Sequence, residues 1–78
     1  MALYDGGLKD MITVKAQAVM DKYQNGERSF RNANLRGENF RGRELSGSDF
    51  SGADIRSANF TNATLREVNF TRAFYGDL

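Results

Sequence analysis

Side chains able to do chemistry are few in this chain and evenly spread. Cysteine and histidine are both absent. A thiolate nucleophile, an imidazole base and a disulfide frame are therefore excluded, and the commonest metal ligands are missing. What remains is mainly carboxylate: Glu44, Asp49 and Asp54 recur at intervals of five. General acid–base work needs two such groups within reach of one substrate, and no matched pair of that kind is evident among them. Gly37, Gly42, Gly47 and Gly52 keep the same interval, so they read as successive corners rather than as a clustered phosphate loop. No catalytic, cofactor-binding or metal-ligating residue is assigned, no cofactor is expected, and the expectation is a protein that is not an enzyme.

The five-residue interval runs through the apolar residues as well. Phe30, Leu35, Phe40, Leu45, Phe50, Ile55, Phe60, Leu65, Phe70 and Tyr75 stand on one lattice. A period of five is neither the 3.6 of a helix nor the 2.0 of a pleated strand, so it marks an internal repeat. Two positions before each centre the residue is usually small (Ala33, Ser48, Ala53, Ala58, Ala63, Val68, Ala73), and the next one is polar except at Phe74, where the register degrades. The unit is small-polar-large-polar-Gly.

Units such as Ala53-Asp54-Ile55-Arg56-Ser57 and Ala58-Asn59-Phe60-Thr61-Asn62 strongly resemble the pentapeptide repeat family, A(D/N)LXX, over about residues 28 to 75. That resemblance implies an all-β solenoid, a right-handed quadrilateral β-helix with one pentad per side and about 2.5 coils. Residues twenty apart then stack: Phe30, Phe50 and Phe70 in one column, Phe40 and Phe60 opposite, Leu35, Ile55 and Tyr75 on a third side, Leu45 and Leu65 on the fourth. The ten lattice residues are the expected structural core. Gly37, Gly42, Gly47, Gly52 and Asn62 tolerate the positive φ a corner demands. Glu67 and Arg72 do not, and a different turn is expected there.

Residues 1–27 form a separate leading segment, with residues 28–78 as the repeat domain. Leu8, Met11, Ile12, Ala16, Val19 and Tyr23 recur at threes and fours, which predicts an amphipathic helix over about 8–24. Asp5-Gly6-Gly7 supplies its start, Asn25-Gly26 ends it, and the helix is expected to cap the solenoid. Glu38 and Arg43 break the repeat at small inward positions, and an ion pair in a partly open end coil, bonded to the helix or the hinge, is expected, with Arg28 at the rim.

Surface charge sets the partners. All eight arginines lie from Arg28 onward and all three lysines before it, with six acids among residues 28–78. Longer acidic relatives in the family imitate duplex DNA and protect topoisomerases, which this balance does not suit. Phosphate binding by an Arg ladder, with Arg36 above Arg56 and Arg31 and Arg41 on flanking sides, is the alternative, although Glu44, Asp49 and Asp54 are interleaved. The main expectation is protein–protein interaction with a large assembly or with a second copy, a homodimer through the C-terminal end. Leu8, Met11, Ile12, Phe74, Tyr75 and Leu78 are its candidate contacts. No apolar run of membrane-spanning length and no signal peptide is evident, so direct membrane insertion is not expected and a cytoplasmic location is. The helix leading into Gly26-Glu27-Arg28 also resembles short pentapeptide proteins abundant in cyanobacteria.

Overall fold

The computed structural model describes residues 12–76. It contains one α-helix, α1 (Ala16–Gln24), and no long strands. The rest is a chain of short extended pieces and turns, joined by isolated parallel bridges: Ser29 to Asp49, Asn34 to Asp54, Asn39 to Asn59, Glu44 to Thr64, Asp49 to Asn69, and Asp54 to Phe74. Each pair is twenty residues apart, so the backbone returns above itself after four pentads.

The composition of the pentad follows from how one side is built. The carbonyl of the large residue accepts the N–H three residues on in every side from Phe30 to Phe60 and again at Phe70, as from Glu38 to Leu35 and from Ala53 to Phe50. The residue between them with positive φ makes this a type II turn. The polar residue before the centre closes the corner from the other side. In seven pentads the side-chain oxygen of Asn34, Asn39, Glu44, Asp49, Asp54, Asn59 or Asn69 accepts the backbone N–H two residues later, at 2.8–3.2 Å. These side chains preorganise the turn as Asx-type motifs do.

Glu67 and Arg72 use the same corner as the glycines, not a different one, with φ of 56° and 61°. The rung below imposes it: the Arg66 carbonyl accepts the Gly47 N–H at 2.9 Å and the Thr71 carbonyl accepts the Gly52 N–H at 2.8 Å. Keeping those ladder bonds outweighs a left-handed cost of roughly 1–2 kcal/mol per residue.

Inside, three phenylalanines stack in a column, Phe30 to Phe50 at 5.5 Å between centroids and Phe50 to Phe70 at 5.7 Å. Phe40 and Phe60 stack at 5.3 Å with their planes 7° apart. The two columns touch through Phe40 with Phe50 and Phe60 with Phe70. Offset stacking of this kind adds to the burial of the rings.

The leading segment differs from a helix over 8–24. Helix α1 starts only at Ala16, and residues 12–15 are extended. Thr13 bridges Asn34 in parallel, with the Asn34 N–H donating to the Ile12 carbonyl and the Val14 N–H donating to the Asn34 carbonyl. Ile12-Thr13-Val14 is a β-branched run, which favours extended backbone, and a lattice edge is available for it to pair with. It works as a partial extra rung: Val14 is buried, in the place of a centre residue below Leu35. The earlier part of the expected helix, with Leu8 and Met11, and the start at Asp5-Gly6-Gly7 lie outside the described residues. At its other end α1 closes where expected, at Asn25-Gly26. The Gly26 N–H donates to the Tyr23 carbonyl and the Glu27 N–H to the Lys22 carbonyl, with Gly26 at φ 94°, a Schellman cap.

Candidate functional site

The two ends of the winding are finished differently. Below the first coil lies α1, whose Val19 and Met20 are buried with the core. The centres of that coil, Phe30, Leu35, Phe40 and Leu45, are fully enclosed, as is Phe50 above them. Ile55 is buried, while Phe60, Leu65 and Phe70 are half-buried at the opposite end. Phe74 and Tyr75 are 41% and 60% exposed. Tyr75 is thus not a core residue. Its hydroxyl donates to the Phe70 carbonyl at 3.2 Å, and nothing among the described residues encloses its ring as the neighbouring rungs enclose Leu35 and Ile55. Leu78 lies outside the described residues, and Ile12 is 49% exposed at the helix-covered end.

Glu38 and Arg43 do not pair. Glu38 turns toward α1, where its Oε1 accepts the Ala16 N–H at 2.7 Å and its Oε2 lies 3.9 Å from Lys15 Nζ. The first turn of α1 carries no acid and Lys15 gives no side-chain cap. A carboxylate from twenty-two residues away therefore meets the positive end of the helix dipole. Arg43 is exposed. Two further ties fix α1: the Tyr23 hydroxyl donates to the Ser46 carbonyl at 2.8 Å, and the Arg28 guanidinium lies 3.6 Å above the Tyr23 ring while donating to the Tyr23 carbonyl. Nothing in local spacing marks these partners, since each joins residues far apart in sequence or across the hinge. The one available signal was that Glu38 sits in a slot meant for a small residue.

The arginine ladder is largely neutralised. Asp54 accepts from Arg56 Nε at 2.9 Å and from its Nη2 at 2.6 Å, and Arg36 Nε lies 4.0 Å from the same carboxylate. The Arg56 guanidinium holds the Asp54 carboxyl below its ordinary value. Arg31 lies 3.6 Å from Asp49. Glu44 also titrates low, chiefly because Ser46 donates to it through its side chain and backbone. A phosphate backbone would have to displace Asp54 to reach Arg36 and Arg56 together. Among the described residues no group of three or more acids could hold a metal ion, and no helix is long and apolar enough to cross a membrane.

The sequence model for pentapeptide repeats matches residues 33–72 in eight copies. The chain belongs to the pentapeptide repeat family. Members generally form a right-handed β-helix and are generally non-catalytic. No curated protein and no solved structure matches the chain.

Proposed function

We propose that this protein is a non-catalytic interaction scaffold: a right-handed quadrilateral β-helix of about 2.5 coils, capped at one end by α1 and binding protein at the other. The twenty-residue bridge register supports the winding. The observation that carries the function is the difference between the ends. Phe40 and Leu45, enclosed in the first coil, are half-open one coil later at Phe60 and Leu65, as is Phe70 one coil above the enclosed Phe50, with Phe74 and Tyr75 exposed at the same end.

An apolar face rimmed by polar residues is where association lowers free energy. The backbone edge there is also unpaired: the N–H groups of Phe60, Leu65 and Phe70 have no acceptor among the described residues, as at any uncovered sheet edge. A second copy offers the same surface, and two such ends can close as a two-fold dimer without leaving an open edge. Sedimentation equilibrium of the protein and of a Phe74→Asp/Tyr75→Asp variant tests this. A concentration-dependent dimer that the double variant abolishes is expected. A monomer at every concentration overturns self-association. Capture of another protein, lost in the same variant, would then identify a different companion at this end.

A further inference from the structure

A groove of about 200 Å³ runs along the first corner of the winding, lined by Arg31, Asn32, Ser51, Gly52, Asn69, Thr71 and Arg72. It is built from two columns at twenty-residue spacing, Arg31-Ser51-Thr71 and Asn32-Gly52-Arg72. Its lining is entirely cationic or neutral hydrogen-bonding, with no carboxylate.

Three features point to a ligand. Ser51 is only 8% exposed, and its Oγ has no hydrogen-bond partner, a state that costs free energy until an acceptor or donor arrives. Arg72 forms no ion pair among the described residues, and it stands at a corner with φ 61°, where glycine would be at ease. A cation without a counter-charge among the described residues thus lines the same groove as an orphaned hydroxyl. Finally, of the two amide oxygens at the groove, Asn69 Oδ1 accepts the Thr71 N–H at 2.8 Å, whereas Asn32 Oδ1 stands over Gly52 inside the lining, so an anion requires the Asn32 amide to turn its N–H inward. Arg31 is shared with Asp49 at 3.6 Å, so it is the weaker of the two cations.

We propose that this corner is a binding site for a small oxyanion of the phosphate type, with Arg72 as the principal charge, Ser51 and Thr71 as hydroxyl donors and Arg31 in support. Tetrahedral oxyanions accept several donors at once, and charge-assisted bonds from arginine are the strong ones. The site is separate from the apolar end and does not depend on what binds there. It is also separate from the Arg36 and Arg56 column that Asp54 occupies.

The test is an amide NMR titration of the 78-residue protein with inorganic phosphate, against chloride at equal ionic strength. Expected are saturable shifts confined to Ser51, Gly52, Thr71 and Arg72, with an apparent Kd on the order of 1 mM or tighter. Arg72→Gly keeps the corner conformation and removes the guanidinium, so it should weaken binding about tenfold or more. Thr71→Val should weaken it less, and Arg41→Ala, away from the groove, should leave it unchanged. Linear shifts spread over every arginine, equal loss in Arg41→Ala, or no shift would each overturn the proposal. So would binding of a short duplex with no saturation by phosphate.

Discussion

The Glu38 carboxylate accepts the Ala16 N–H at 2.7 Å, a bond between a lattice slot of the first coil and the first residue of α1. It explains why a charged residue occupies a position that in most pentads holds alanine or serine. Glu38→Ala removes the side-chain acceptor that the described residues place at that helix end and should cost about 1–2 kcal/mol. Glu38→Gln keeps an acceptor and should cost less than half as much. Urea denaturation separates the two; equal losses would mean that the bond contributes nothing beyond charge.

Ser48 occupies a small inward slot at 1% exposure with an unpartnered Oγ. Ser48→Ala removes a buried hydroxyl without opening a cavity, and Ala33 and Ala53 fill the equivalent slots of the next column. The expected gain is about 1 kcal/mol, a rise in Tm of about 4–8 °C for a domain of this size. A lower Tm would show that the hydroxyl has a partner the structure does not contain.

Phe50 is the middle ring of its column, stacked on Phe30 below and Phe70 above. Phe50→Ala should cost about 3–5 kcal/mol and unfold the protein near room temperature, as near-ultraviolet circular dichroism would register. Phe74→Ala, at an exposed site, should change monomer stability by less than about 0.5 kcal/mol.

Asp54 titrates below its ordinary 3.8, held there first by Arg56. A carboxyl with a lowered folded pKa contributes stability that is fully present above the unfolded value. That stability is lost as pH falls through the folded value. The protein should therefore lose Tm below about pH 4. Asp54→Asn keeps the turn acceptor, as Asn34, Asn59 and Asn69 do in their pentads, and should flatten that part of the acid limb. An unchanged acid limb in the variant would assign it to other carboxyls.

Glu67 pays for a left-handed corner at φ 56°. Glu67→Gly relieves the steric cost but adds chain entropy to the unfolded state, leaving an expected gain of about 0.5–1 kcal/mol. Gly52→Ala should do the opposite, and more severely than Gly47→Ala. Both positions have positive φ, yet only at Gly52 would the new Cβ meet a neighbouring side chain, that of Asn32.

The repeat and its corners were legible in sequence because they are local. A large residue every fifth place, an Asx side chain before it and a turn-tolerant residue after it describe a side of the winding, and each of these acts within a few residues of itself. Even so, local rules misjudged Glu67 and Arg72, where hydrogen bonds to the rung twenty residues earlier overrode intrinsic preference. The same rules misjudged residues 12–15, where an edge at Asn34 captured a segment whose spacing also fits a helix.

Sequence alone therefore determined the pentad, its membership in the pentapeptide repeat family and the absence of thiol or imidazole chemistry. Only the tertiary structure decided which lattice residues are enclosed. Phe30 and Phe70 obey the same pattern, and burial depends on what lies above or below a ring, which no pentad encodes. For the same reason it took the folded chain to join Glu38 to Ala16, Tyr23 to Ser46 and Asp54 to Arg36, since these contacts depend on distances that the winding, not the spacing, creates.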